Sequence, residues 1–298
     1  MAAADRIDRD DLTARVLPQM SLWSRTSPAP GIEKPAAGAN PAVERFRVSG
    51  NAIVTGGAGD LAFTNVRALL QHGLEGLAIF DVNKDEAEVR IGKLEEEFPS
   101  VPITFQKVDI TNPEEVDKAV EEVVKTLGSV DILITFAGIV SCHHSLDVSV
   151  AEFRRTIDVN TTGGFICAQA VARRMVAAKT GGRIILIASI SGHTVNFPQP
   201  QAAYNTSKAA VRMLKSSLAA EWAVHGIRVN SISPGYMDTI LNAGDGLEEA
   251  RGIWNDRNPL GRMGFPEELT GVVVLLASKA GNYINGSDFV VDGGQTLF

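Results

Sequence analysis

From residue 51 onward the chain alternates short runs rich in Val and Ile with longer amphipathic stretches, and this alternation limits the fold more than any other feature. The runs NAIVT, GLAIFD, ITFQKVD, DILITFA, GRIILIAS, IRVNSIS and DFVVDGG read as seven strands. A strand covered on one face alternates apolar with polar residues. These runs scarcely do, so both faces are buried, as in a parallel sheet. The stretches between them, such as DLAFTNVRALLQHG, PEEVDKAVEEVVKTLG and PEELTGVVVLLAS, carry apolar residues at helical spacing. Right-handed crossovers then set helices on both sides of the sheet. The expectation is an α/β fold: a doubly wound, seven-stranded parallel sheet in a single domain over 47–298.

The remaining residues, 1–46, are rich in Pro, Ala and Gly and lack sustained periodicity, which predicts an N-terminal arm or linker. Its stretch LTARVLPQMSLW is expected to dock on the body or on a neighbouring subunit through apolar side chains. The start DRIDRDD is a poor match to a signal or transit peptide, and no apolar run nears the roughly 18 residues of a spanning helix. A net charge of −7 argues against nucleic-acid or anionic-membrane partners, leaving a small molecule. Two cysteines, Cys142 and Cys167, stand in no metal-ligand spacing and fit a reducing, cytoplasmic setting. No metal is expected; His143 and His144, after the fourth strand, read as surface residues.

After the first strand comes TGGAGDLA, Thr55 to Ala62, leading straight into a helix. Glycines there let backbone approach a pyrophosphate, and a helix N-terminus offers free N–H groups and positive dipole charge. Such turns also carry glycine for steric reasons alone, so the position after the first strand is what gives the signal weight. At the end of the second strand, Asp81 either accepts hydrogen bonds from an adenosine ribose or caps the next helix. A carboxylate there repels a 2′-phosphate, and no Arg directly follows the glycine turn. NAD(H) is therefore favoured, with NADP(H) as the alternative. Asp109, after the third strand, offers the same choice between an adenine amino group and helix capping.

TGGAG at 55–59, FAG at 136–138, Asn160, Ser189, YNTSK at 204–208 and SPGYMDT at 233–239 follow one another in order. On these landmarks the chain resembles the short-chain dehydrogenase/reductase family from about residue 48 to 298. The resemblance implies a Rossmann-like fold and NAD(P)-dependent interconversion of a secondary alcohol and a ketone. It implies cofactor contacts from Gly56, Gly59, Asp60 and Leu61 in the glycine turn, and from Asp81, Val82, Asp109 and Ile110 after the next two strands. Further contacts are implied for Ala137, Gly138, Tyr204 and Lys208, and for Pro234, Gly235, Met237 and Thr239 around the nicotinamide. Catalysis is implied for Asn160, Ser189, Tyr204 and Lys208, with Asn160 bending its helix and ordering a water next to Lys208. A homodimer or homotetramer built on the helices around 151–178 and 202–225 is implied as well.

The chain departs from the family pattern in two places. Asp60 and Ala62 stand where turn glycines are usual, and Phe136 stands where an Asn is usual. Ala62 is a small change, because that glycine mainly permits close helix–strand packing. A carboxylate at 60 would weaken pyrophosphate binding unless it points away or caps its own helix, and the cap is the expected role.

Ketone reduction needs a proton donor at the carbonyl oxygen, and a tyrosine with its ordinary pKa of about 10 is a reluctant one. An ammonium one helical turn away stabilises phenolate, which is why Tyr204 and Lys208 read as a chemical pair rather than a solvent-facing one. Ser189 would donate a hydrogen bond to the substrate oxygen. Ser191 is its rival: the family's usual gap to the tyrosine selects Ser191, whereas Gly192, three residues on, selects Ser189, which is preferred. The text SISGHTVNFPQPQAAYN is similar to the fungal polyol dehydrogenase branch, so a polyol/ketose substrate is expected. His193, Asn196, Phe197, Gln199 and Tyr236 are candidate substrate contacts under a lid formed by residues 241–264, and Trp254 either lines the pocket or anchors that lid. Two alternatives stay open: a reductase of a hydrophobic ketone, and a degenerate, non-catalytic binding or scaffold protein, the latter prompted by Asp60 and Phe136.

Overall fold

The computed structural model describes residues 16–31 and 39–297. Strand β1 (Asn51–Thr55) is buried along its whole length; Ala52 and Val54 face one apolar layer and Ile53 the other. The same two-sided burial holds for β2 (Gly76–Asp81), β4 (Ile132–Thr135) and the inner part of β5 (Gly182–Ile187). With β3 (Ile103–Lys107), β6 (Ile227–Pro234) and β7 (Asp288–Val291), they form one all-parallel sheet in the order β3-β2-β1-β4-β5-β6-β7. The expected seven strands are all present. The runs ITFQKVD and DILITFA end early as strands, because their last residues turn out of the sheet towards a cavity.

Helices α2 (Asp60–Gln71) and α3 (Lys84–Glu97) cover one face, together with a helix at Thr270–Ala277. The other face is covered by α4 (Pro113–Leu127), by a helix at Gly164–Ala178 and by one at Ala202–Trp222. Local chemistry sets the starts. Asn83 accepts from the Glu86 N–H ahead of α3, and Asn112 accepts from Glu114 and Glu115 ahead of α4, where Pro113 takes the first turn. Gly128 ends α4 with φ 88°, a left-handed conformation that favours glycine.

The stretch from 150 to 178 is not one continuous α-helix. It divides into α5 (Val150–Ile157), a π-helical segment over Asp158–Gly163, and α6 (Gly164–Ala178). The wider turn brings Asn160 into the interior, where it is 5% exposed. Helix α7 is Ala202–Trp222, α8 is Glu248–Asp256 in the expected lid, and α9 is Thr270–Ala277.

The N-terminal arm differs from expectation in one respect. It contains a short helix, α1 (Pro41–Phe46), capped by Asn40 and with no buried residue. Of LTARVLPQMSLW, residues 12–15 lie outside the described residues. Val16, Leu17, Met20 and Leu22 are exposed and do not dock on the body of the same chain. Among the described residues of this stretch, Trp23 is tied to the body, its indole N–H donating to the Ala223 carbonyl at 2.8 Å. Among the described residues no helix is long and apolar enough to cross a membrane.

Candidate active site

Because β1 lies between β2 and β4, the chain leaves the sheet in opposite directions there, and the crevice at the carboxyl ends opens into a cavity of about 1250 Å³. Thr55 pairs with both Phe80 and Thr135, so the turns after the three strands lie side by side. Gly56 has φ 65°, and a Cβ on it would fall 2.6 Å from the Ala137 nitrogen. Only glycine lets those two turns meet. Gly59 holds the N-cap of α2 and supplies no side-chain acceptor, so no capping side chain occupies the first-turn N–H groups. Gly59, Asp60 and Leu61 line the cavity there. This cradle fits a dinucleotide pyrophosphate.

Asp81 does not cap α3, a role that Asn83 takes. Its carboxylate accepts from the Ala58 N–H at 3.0 Å and from the Asn83 N–H at 2.9 Å, so it faces the glycine turn. Asp109 does not cap α4 either. It accepts from the Thr111 N–H and hydroxyl, at 2.9 and 2.7 Å, on the cavity rim, while Ile110 lies buried beneath. Val82 is exposed at the same rim. Pro234, Gly235, Met237 and Thr239 line the same cavity, as do Ala137 and Gly138. A Cβ on Gly235 would meet the Asp292 Cα at 2.8 Å, which explains the glycine without a ligand.

Asp60 corrects an expectation. It is the first residue of α2, not its cap, and its carboxylate turns away from the helix N–H groups. It accepts from Arg90 of α3 at 2.5 Å and from the backbone N–H of Ile240 at 3.0 Å. The Arg90 guanidinium holds the Asp60 carboxyl below the usual carboxylate range. Nothing in the sequence marks Arg90: it is one of several charged residues on α3, and its partner comes from another element. Phe136, the second departure, packs against the core layer on the α2 side.

Helix α7 brings Tyr204 and Lys208 to the far end of the cavity, beside Ser189. Lys208 is 5% exposed; its ammonium donates to the Ile187 carbonyl at 2.9 Å and lies 5.6 Å from the centre of the Tyr204 ring. Burial pushes Lys208 down to about 8. Burial also pushes the Tyr204 phenol up, with the Ser189 hydroxyl acting in the opposite direction and Tyr236 adding to the rise. The sequence predicts a lowered tyrosine. In this cavity the cost of desolvating phenolate outweighs the stabilising neighbours, and the ammonium is directed at a backbone carbonyl.

The two serines are distinguished by their neighbours. Ser189, at the end of β5, acts on Tyr204. Ser191 lines the same cavity and accepts from the Ser189 hydroxyl at 3.0 Å and from the Gln201 amide at 3.2 Å. Asn160 does not line the cavity, and both hydrogens of its amide are used. It clasps the Ile139 backbone at 2.8 and 2.9 Å and donates to Ser207 at 2.9 Å, joining the turn after β4 to α7. Gly138 passes just above: a Cβ there would lie 3.1 Å from the Asn160 Oδ1 and 3.7 Å from the Lys208 Nζ.

Beyond Tyr204 the cavity is closed by Tyr236, stacked on Trp254 with ring centres 4.2 Å apart. The Tyr236 oxygen accepts from Asn196 at 2.8 Å and from Gln199 at 2.9 Å, and the Trp254 N–H donates to Gln199 at 3.1 Å. Two expected contacts lie elsewhere. His193 pairs with Asp288 of β7 at 2.7 Å, and the exposed Phe197 stacks with Arg257. Neither lines the cavity. Both His143 and His144 are exposed, and among the described residues no group of His, Cys, Asp and Glu could hold a metal ion.

The chain matches the family model described as enoyl-(acyl carrier protein) reductase over residues 57–296. It is 37% identical to a sorbose reductase of Candida albicans, over 85% of this chain and 90% of that one. An NADP-dependent mannitol dehydrogenase of Alternaria alternata is 36% identical, over 82% and 91%. A crystal structure of a short-chain type dehydrogenase/reductase from Mycobacterium marinum superposes with TM-score 0.82 at 40% identity, covering 86% and 99%. These likenesses favour neither the hydrophobic-ketone nor the scaffold alternative. A cavity where a glycine turn, a buried lysine and a tyrosine meet, on a sheet of this order, thus belongs to an NAD(P)-dependent oxidoreductase acting on CH–OH groups: the chain is a member of the short-chain dehydrogenase/reductase family.

Proposed function

We propose that the chain interconverts a polyol and a ketose with a preference for NAD(H), and that Tyr204 carries the proton. The observation behind this reading is the convergence of Tyr204, Ser189 and Lys208 on the cavity that the glycine turn also lines. When bound, a nicotinamide would supply or accept the hydride. The chain's own task is the proton. In ketone reduction Tyr204 donates its phenolic hydrogen to the substrate oxygen; in alcohol oxidation it takes that hydrogen up. Ser189 donates a hydrogen bond to the same oxygen and holds it against the phenol. Protonated Lys208 offsets part of the cost of phenolate. Asn160 acts at one remove, through Ser207, whose hydroxyl donates to the Tyr204 carbonyl at 2.7 Å.

Hydroxyl-rich substrates suit the Tyr236 end. A phenol oxygen that already accepts two amide hydrogens has its own hydrogen left to donate, and the Asn196 Oδ1 is buried without a protein partner. A donor and an acceptor on neighbouring side chains match a diol better than a hydrocarbon. The names of the sorbose and mannitol relatives agree with a sugar or polyol. The NAD(H) preference rests on Asp81, whose carboxylate opposes a 2′-phosphate; kcat/KM with NADH against NADPH tests it, because the mannitol relative is NADP-dependent.

The wider reading includes an arm at 1–46 outside the catalytic domain of 47–298, a cytoplasmic location, and a homodimer or homotetramer. An apolar groove of about 650 Å³ between α6 and α7, lined by Phe165, Val176, Leu214 and Leu218, supports the last, and sedimentation checks it. The decisive experiment is Tyr204→Phe. Ketose reduction should fall about 10²–10⁴-fold while the NADH fluorescence titration is unchanged. Undiminished turnover removes Tyr204 from its role.

A further inference from the structure

We infer that Asp60 and Arg90 form a charge-compensated latch, in which Asp60 fastens the segment after β6 over the pyrophosphate end of the cavity and Arg90 keeps that carboxylate from repelling the dinucleotide. The inference rests on the dinucleotide reading above. It starts from an apparent conflict. Asp60 is the first residue of α2, beside the N-terminal N–H groups that suit a pyrophosphate, and it lines the cavity. A bare carboxylate there opposes any phosphate-bearing ligand.

Both carboxylate oxygens are engaged, and each bond does something different. One accepts from the Arg90 guanidinium, which is only 18% exposed. Arg90 is itself oriented by Glu86, at 3.1 Å, and by the Phe63 ring, 5.2 Å away. The side chain is therefore held in place. The other oxygen accepts from the Ile240 N–H. Ile240 directly follows Thr239, and its own side chain is 78% exposed, so packing does not hold this residue. On its other side the segment is tied by Arg251, which donates to Asp238 and to the Asn242 carbonyl. Asp60 thus gives the loop its one bond to the glycine turn among the described hydrogen bonds.

Charge and latch can be separated. Asp60→Asn keeps an acceptor for Ile240 and removes the charge, whereas Asp60→Ala removes both. Arg90→Met removes the cation and keeps the apolar stem. NADH affinity should weaken about tenfold in Arg90→Met, because the carboxylate is left bare. In the Asp60→Asn background the same substitution should change affinity less than about twofold. The Arg90→Met loss should also shrink as salt rises from low to molar concentration. Hydrogen exchange at the Ile240 amide should quicken in Asp60→Ala and stay slow in Asp60→Asn.

A merely structural ion pair gives a different result: both Arg90→Met backgrounds lose affinity alike, with no salt dependence, and that result overturns the inference. So does unchanged NADH affinity in Arg90→Met with its melting temperature intact. If the unaltered protein binds no NADH, the dinucleotide reading fails and takes the latch with it. Normal binding with an additive cycle sinks the latch alone.

Discussion

The two ends of the cavity handle charge in opposite ways. At the glycine turn, ionised groups meet partners near solvent: Arg90 neutralises Asp60, and two backbone N–H groups hold Asp81. At the Tyr204 end no acidic partner meets Lys208 among the described residues; burial pushes Lys208 down to about 8, and burial together with Tyr236 works against phenolate. A site for an anionic ligand has to keep its charges in place and paired. A proton-transfer site needs groups whose charged and neutral forms lie closer in free energy, and desolvation narrows that gap.

The sharpest test of this contrast at the buried end is the serine pair. Ser189→Ala should lower kcat about 10²-fold, whereas Ser191→Ala, one bond further back, should lose far less. Equal losses would mean that both serines act as one network rather than one donor and its support. Next comes the cost of the buried ammonium. A lysine whose folded pKa is depressed binds fewer protons than the unfolded chain between about pH 8 and 10.5, so stability rises with pH across that window. The penalty is fully present below about pH 8. Lys208→Met should therefore be inactive yet more stable at pH 7, by up to about 3 kcal/mol, with the gain fading as pH approaches 10.5. A gain independent of pH would show that packing, not charge, sets the difference.

A smaller effect is expected at the roof of the cavity. Tyr236→Phe keeps the stack on Trp254 and removes one hydroxyl, so kcat/KM for a ketose should fall about tenfold, with little change for an aromatic ketone. Equal losses on both would make the phenol a packing element only. Smallest is the arm: Trp23→Phe removes one surface hydrogen bond and should cost less than about 1 kcal/mol of stability, read from denaturant midpoints. A larger loss would join residues 1–46 to the domain.

Much of this was legible from residue order. NAIVT and GLAIFD read as strands, and their bounds match β1 and β2, because two-sided burial removes polar residues from the run itself. The bend within 150–178 was legible only as a role for Asn160. A π-helical turn has no periodicity of its own over so few residues, so the break at 158–163 did not show. His193 was misread because it lies next to the catalytic segment in sequence while its partner, Asp288, arrives from β7.

The sequence by itself determined the layered sheet, the glycine turn and the tyrosine–lysine pair, since each depends on local spacing: strand burial, helix start and one helical turn. Tertiary structure decided where Asp60 points, which serine meets Tyr204, and in which direction the Tyr204 pKa moves. Those outcomes depend on through-space neighbours brought from other elements and on how much water the fold removes, and neither quantity is encoded in the spacing of nearby residues.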